Sequence, residues 1–474
     1  MLNLKKLNRE QMEELVPYFA TQNTHVSDYS LGFQYMWNRN LAPDYCFAAN
    51  CLIIHEFFSG CNYFYYPLSL TGDLAEEEAA LDEIERHCRD SNTRLHFTNI
   101  PEGKVMVLLK RYGRECAVNN RRRWRDYLYR AEDFQTYAGK KYSGQRNHVN
   151  KFKKLYTGWE FRPYTPADYS ALTVFLEAIA EHQKSKDAFL AKEEMEETLA
   201  IIPKMEKLGI AAGLLLVDGK VVGFSAGERC GDMMVVHIEK ALREYEGAYP
   251  MLAQQFALMY CADGIDYLNR MDDAGDGGLR KSKLQYLPCE IVAKYNILPK
   301  RAIDGISRPP EIQTKRLLLA PIEDEHVEEY ARLARDRERN RWWGYDWREG
   351  YPEGEPPAEY FLGLSREDFR HKDEMSLGIF AEGKFVGEVV MHRFGYRDDV
   401  ELGVRLLPEA EGNGYASEAM SGLAEYAFLK LGLERAEAKC FRENAKSEKM
   451  LTAAGFRPCG EDETYFYFLK TASM

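Results

Sequence analysis

Residues able to do chemistry concentrate in two short stretches of this chain. One runs from Leu406 through Glu411, Gly412, Asn413, Gly414, Tyr415 and Ala416; the other is Asn444-x-x-Ser447, closed by Gly455-Phe456. The pattern from Val400 to Leu406 predicts a strand, the two glycines a turn, and the small and apolar residues after them a helix. A strand that passes through a glycine turn into a helix leaves several backbone N–H groups unpaired and pointing one way. Such a turn suits a pyrophosphate, which the helix dipole also favours. A Cβ at Gly412 or Gly414 would keep the backbone away from the phosphate oxygens.

The pattern P-x-x-x-G-x-G-Y-A-x-E-A, from Pro408, followed by N-x-x-S-x-x-x-L-x-x-x-G-F, from Asn444, resembles the GNAT acyltransferase superfamily. The branch it is most similar to is that of ribosomal-protein N-terminal acetyltransferases. The resemblance covers Thr314 to Lys470, including the opening TKRLLLAPIEDEHVEEY. It implies acetyl-CoA as co-substrate and no metal. It sets the backbone of Val404, Arg405 and Leu406 beside the pantetheine arm and the turn from Glu411 to Ala416 around the pyrophosphate. Asn444 would hydrogen-bond the pantetheine or hold the strands apart.

Acyl transfer from a thioester to an amine needs a neutral amine, a donor for the carbonyl oxygen and a stabilised leaving thiolate. An amine is mostly protonated at neutral pH, so a carboxylate beside it supplies the base. Glu401 opens the predicted strand, where the resembled enzymes often carry an acidic residue, and is the candidate. Ser447 is a candidate donor to the leaving sulfur. The tyrosine that many relatives carry seven residues after the asparagine is Leu451 here, which leaves Ser447, Tyr465 or Tyr467 as the acid. Glu409 and Glu411 stand where relatives carry Gln or Arg. Carboxylates there oppose a pyrophosphate by about 1 kcal/mol each at screened distance.

The elements that position these residues belong to a chain of 474 residues, enough for two or three domains. With 45% apolar residues and 13% aromatics it reads as globular. A net charge of -12 disfavours general polyanion binding. Ten cysteines are scattered without a CxxC pair, which suits a reducing cytoplasm and shows no zinc pattern. The N-terminus lacks a signal-peptide core, and no apolar run is long enough to span a membrane. A cytoplasmic protein is expected.

Domain divisions are expected at 1–135, 136–300 and 314–474, with 301–313 as a linker carrying Pro309 and Pro310. Asp218-Gly219 and Glu382-Gly383 each sit between apolar runs and predict hairpins, a device repeated in the last two domains. The pattern N-R-x-x-D-x-G-x-x-x-L-R-K-x-K-x-x-Y-x-P is met, with one extra residue in GDGG, by Asn269, Arg270, Asp273, Gly275, Leu279, Arg280, Lys281, Lys283, Tyr286 and Pro288. It resembles the C-terminal region of phosphatidylglycerol lysyltransferases over residues 5–298. Together the resemblances imply an α/β (α+β) chain of three tandem GNAT-like domains, each a mixed, mostly antiparallel sheet flanked by helices.

Residues 121–154 hold eleven Lys/Arg against three Asp/Glu, interleaved with Trp124, Tyr127, Tyr129, Tyr142 and Phe152. That density can hold a phosphate backbone, and in the resembled lysyltransferases the fold accepts an aminoacyl-tRNA. A solvated helix and loop with core aromatics is the competing reading. Residues 339–357 bring three tryptophans with Asp346, Glu349, Glu353 and Glu355, either as a substrate wall favouring a cationic acceptor or as a packed corner. Acetyl transfer to a peptide or small-molecule amine is the expected activity. A tRNA-dependent transferase or tRNA-binding module in residues 1–300 is the alternative, and a non-catalytic scaffold of GNAT folds the third.

Overall fold

The computed structural model describes all residues except 59–60, 114–115, 183–187, 345, 352–353 and 473–474, and leaves out the side chains of 38–41, 58, 182, 188–194 and 349. By contact density the chain divides into two units. One comprises Met1–Ile84, Arg94–Lys110 and Ala117–Leu298; the other comprises Glu85–Thr93, Arg111–Cys116 and Pro299–Met474.

The first unit holds two sheets and the second holds one, each mostly antiparallel and flanked by helices. Every sheet contains one parallel pairing, and in each it lasts three residues. Cys61–Phe64 lies along Leu95–Pro101, Met233–Ala241 along Tyr267–Asn269, and Asp399–Leu406 along Arg435–Phe441. Parallel neighbours need a crossover connection. Helices Leu74–Asp90, Ala248–Tyr260 and Tyr415–Leu431 provide it. The tandem architecture expected from the resemblance is therefore present.

Strand pairing assigns segments differently from chain order. Asp126–Arg130, upstream of residue 135, pairs with Tyr267–Asn269 and Glu290–Val292 inside the second sheet. Lys294–Leu298 crosses to the first sheet, between Leu95–Pro101 and Ala117–Asn119. The expected hairpins form: Asp218 and Gly219 have φ of 50 and 79, Glu382 and Gly383 the same 50 and 79. Two successive positive φ values give the turn whose twist matches the flanking strands. The stretch read as a linker is built into the last domain instead. Ile303 and Ile306 are buried in its core, and Arg301 donates to the Lys372 carbonyl at 2.5 Å. Prolines there break helix periodicity, but they do not dictate exposure.

In the last domain, Ala419, Met420, Leu423, Ala424 and Ala427 line one face of helix Tyr415–Leu431 and pack on Val400, Leu402 and Leu406. Their spacing makes the apolar stripe of a helix lying on a sheet. Tyr330, Leu333, Phe361 and Leu362 form a second core with Phe380 and Phe385. The sheet is thus covered on both faces.

Between the two sheets of the first unit lies a buried ion cluster. Lys294, 3% exposed, pairs with Asp28, with Asp126 at 2.8 Å and with Asp272 at 3.7 Å. Asp126 also accepts from the Ser27 N–H at 2.7 Å and the Asn269 amide at 3.1 Å. Burial pushes the Asp28 carboxyl up to about 6 despite the ammonium beside it. Lys294→Met leaves three carboxylates without their cation and is expected to cost about 3–5 kcal/mol in urea unfolding of the full chain. A loss under about 1 kcal/mol would show that shared protons, not Lys294, hold the cluster together.

Candidate active site

Strand Asp399–Leu406 has two different edges. On one side it pairs with Lys384–His392 from Glu401 through Leu406. On the other its parallel pairing with Arg435–Phe441 covers only Asp399, Val400 and Glu401. Beyond Glu401 the strands diverge, and the outer edge of Leu402–Leu406, including Val404 and Arg405, has no strand partner among the described residues. Arg435–Phe441 remains paired on its far side with Tyr465–Thr471, which fixes the opening.

The turn follows directly. Pro408–Ala410 makes a single tight helical turn, and Gly412 and Gly414 both lie in the left-handed region at φ 80 and 75. Gly414 is the N-cap of helix Tyr415–Leu431. Among the described residues, the N–H groups of Gly412, Asn413, Gly414, Tyr415 and Ala416 donate to nothing in the chain. Those donors and the bare strand edge fit the pyrophosphate and amide-rich arm of coenzyme A.

The two carboxylates expected to oppose an anion are matched. Glu411 pairs with Arg339 at 2.8 Å and Lys446 at 3.2 Å, and Glu409 with Arg332. Arg316 donates to the Asn413 carbonyl at 2.9 Å and lies over the Tyr415 ring. Cations drawn from three distant segments thus surround the turn. Sequence reading missed them because no local spacing links residues 316, 339 and 446 to the glycines.

Glu401 is 7% exposed and ringed by base: Lys439 at 3.2 Å, Arg393 at 3.4 Å and His392 at 3.7 Å. Burial raises its carboxyl, but the three neighbours outweigh burial and hold it below the usual range. It is therefore ionised at neutral pH and only weakly basic. Glu401 sits where the strands part, on the face shared by Lys439, Phe441 and Tyr465.

Asn444 caps helix Ala445–Ala453, its side chain accepting from the Ser447 N–H at 3.1 Å. Ser447 is half-buried, and its hydroxyl has no partner among the described residues. Leu451 is core. Tyr467 donates to Asp462 at 2.6 Å, and that bond, with burial, pushes its phenol up to about 12. Tyr465 packs against Phe441, with ring centroids 4.7 Å apart and the planes tilted by 49°. Of the two tyrosines, Tyr465 is the one whose hydroxyl is not already committed.

The tryptophan segment divides between its two readings. Trp347 is buried against Phe361, a packed corner. Trp342 meets Phe441, and Trp343 lies over Gly403, where an added Cβ would come 3.3 Å from the indole. A glycine inside a strand marks such a close approach, the one sequence signal for it. Arg405 stacks on Trp343 and pairs with buried Glu388 at 2.7 Å, while Tyr330 donates to Glu388 at 2.8 Å. Asp346 is spent on Arg348 and Glu355 on Arg335. Glu353 and the Glu349 side chain lie outside the described residues. Metal-ligand clusters are absent among the described residues.

Sheet, opening and turn define an acyltransferase domain of the GNAT class: the profile described as "Acetyltransferase (GNAT) domain" matches residues 316–457. The profile described as "Phosphatidylglycerol lysyltransferase, C-terminal" matches residues 19–298, more than half of the chain, and the chain belongs to that family. The "Uncharacterized N-acetyltransferase YoaA" of Bacillus subtilis is 29% identical over 161 residues, 33% of this chain and 89% of its own length. A "Conserved Protein of Unknown Function from Bacteroides thetaiotaomicron" shares the fold at TM-score 0.56 and 24% identity, over 63% of this chain and 100% of that one. Mycobacterium smegmatis RimJ, in complex with CoA-disulfide, is similar at 21% identity and TM-score 0.30, over 35% and 88%. No helix among the described residues is long and apolar enough to cross a membrane.

His392 beside Glu401 gives the site a measurable signature. Burial, Arg393 and Lys439 push its imidazole down to about 4, against the pull of Glu401. The unfolded chain therefore takes up that proton first, at about 6.5. Stability must fall as pH drops from there towards 4, because the unfolded state binds more protons over that window. A pH series of melting temperatures should show this slope flattened in His392→Gln. An unchanged slope would exclude His392 as its source.

Proposed function

We propose that residues 314–474 transfer an acetyl group from acetyl-CoA to a primary amine, by direct attack in a ternary complex. The observation that carries this reading is the parallel pairing that stops at Glu401, just ahead of a turn with open N–H groups. The turn from Glu411 to Ala416 would hold the pyrophosphate, with Arg316, Arg339 and Lys446 around it. The backbone of Val404, Arg405 and Leu406 would take the pantetheine arm as a strand takes a neighbour. When bound, the thioester supplies an activated acyl group.

The chain's own groups manage the protons. Glu401, ionised and facing the opening, accepts the amine proton directly or through water. Ser447, on the first turn of its helix, or Tyr465 donates to the departing sulfur. Trp342, Trp343 and Phe441 wall the face from which an acceptor approaches, consistent with a protein N-terminus, polyamine or small-molecule amine. Asn444 acts through the helix end that it caps and so positions Ser447.

Glu401→Gln keeps shape and removes basicity. Acetyl-CoA binding should persist while turnover on an acceptor, found by screening amines for thiol release, drops by roughly 10²–10⁴-fold. The deficit should shrink as pH approaches the amine's own pKa, where free amine forms unaided. Wild-type turnover at neutral pH would remove Glu401 from the mechanism.

Membership of the lysyltransferase family favours a second reading for residues 1–298, an aminoacyl-tRNA-dependent transferase or tRNA-binding module. Its support is the exposed cations Arg121, Arg123, Arg130, Lys140, Lys141, Lys151, Lys153 and Lys154. The interleaved aromatics do not add stacking platforms: Tyr127, Tyr129, Tyr142 and Phe152 are core, and only Trp124 is exposed. Affinity for tRNA should then fall steeply between low and moderate salt, as each neutralised phosphate releases counterions. A gel-shift titration without a complex at low salt rejects this reading.

A further inference from the structure

Among the described residues, the device that makes the opening in the last domain occurs three times: a three-residue parallel pairing, a turn, and a crossover helix. Only the third copy is open. We infer that the chain holds one coenzyme A site, because the first two copies are sealed by their own atoms; the count rests on the third turn being the pyrophosphate site proposed above.

In the first copy the turn is 69–73, ahead of helix Leu74–Asp90. Its N–H groups already have an acceptor: the Ser69 hydroxyl takes those of Thr71, Gly72 and Asp73 at 3.1, 2.8 and 3.2 Å. Ser69 in turn donates to Glu76 at 2.6 Å, and Thr71 donates to the same carboxylate at 2.8 Å. An internal carboxylate thus stands behind the donors that an external anion would need. The strand gap is closed as well. Tyr65, just past the last paired residue Phe64, accepts from the Asn99 amide at 3.2 Å across it.

In the second copy Gly247, φ 86, is the N-cap of helix Ala248–Tyr260, the station that Gly414 holds in the third. A Cβ on Gly247 would fall 2.3 Å from the His148 carbonyl and 3.1 Å from Phe152 Cβ. Helix Ser143–Leu155 therefore lies directly against the turn. The Glu246 N–H is also taken, donating to the Tyr156 hydroxyl at 3.2 Å. Arg270, next after the last paired residue Asn269, forms an ion pair with Glu239 on the opposite strand, and its guanidinium stacks on Tyr286. That bond ties the diverging strands together.

In the third copy no such tie crosses beside Leu402–Leu406 among the described residues; the Glu411–Lys446 pair joins surface side chains at the turn and leaves the turn's N–H groups unspent. At Gly414 the nearest atom to an added Cβ is an Arg316 nitrogen, 3.5 Å away. The Glu401–Lys439 pair lies at the base of the opening and leaves its length clear. A phosphate needs close backbone approach and unspent N–H donors, and only the third turn offers both.

Calorimetric titration of the full chain with acetyl-CoA should give a stoichiometry of one. Gly414→Glu, in a chain whose circular dichroism is unchanged, should weaken binding at least about tenfold and leave no second saturable phase. A stoichiometry of two or three, or saturable binding of undiminished affinity in folded Gly414→Glu, overturns the inference. No binding to the wild-type chain would reject the third turn itself, and the count of one with it. The stoichiometry needs no variant, so the inference can be overturned even if Gly414→Glu fails to fold.

Discussion

A parallel strand pair that stops after three residues governs this structure. Backbone N–H and C=O groups are obligatory hydrogen-bonding groups, so strands that diverge must find other partners along the edges they expose. Each sheet contains one such gap among the described residues, and in two of them side chains bridge it. In the first, Tyr65 and Asn99 span the gap; in the second, Arg270 and Glu239 do. In the third, the edge beyond Glu401 is left bare and the turn beyond it keeps its donors unspent. The same backbone geometry thus becomes a scaffold or a site according to what fills it.

Charge compensation follows the same logic. Burying Glu388 and Arg405 is tolerable because they pair with each other and with Tyr330, Asn340 and Trp343. Glu401 stays ionised in a nearly closed position because the charged Lys439 and Arg393 lie beside it. Such a carboxylate is a weak base, and its strength lies in a fixed position and a permanent charge. Around the turn, Arg332, Arg339 and Lys446 cancel Glu409 and Glu411, so the field that a phosphate would meet is not the one that local composition suggests. Without those pairs, the turn would combine the right shape with the wrong charge.

The buried cluster at Lys294 shows the cost of joining two sheets within one unit. Lys294 sits on a strand of the first sheet and Asp126 on a strand of the second, each delivered there by a segment that pairs outside its chain neighbourhood. The exchange makes each sheet incomplete without the other stretch of chain. Residues 1–135 and 136–300 are thus interwoven rather than merely consecutive.

Much was legible in the sequence because it is written in local backbone requirements. Asp218-Gly219 and Glu382-Gly383 demand left-handed turns, Gly412 and Gly414 demand a turn ahead of a helix, and strand and helix periods surround them. The sequence by itself determined the α/β class with its mostly antiparallel, GNAT-like sheets, the family and the place of the glycine turn. Only the tertiary structure decided which copies of the device are closed, since Asn99, His148 and Arg270 act through space on groups that no spacing connects to them. It likewise decided that Ile303 and Ile306 of the 301–313 stretch are core, that Tyr127, Tyr129, Tyr142 and Phe152 are buried, and that Lys439 and Arg393 flank Glu401. Those outcomes depend on long-range packing and desolvation, which composition and periodicity do not encode.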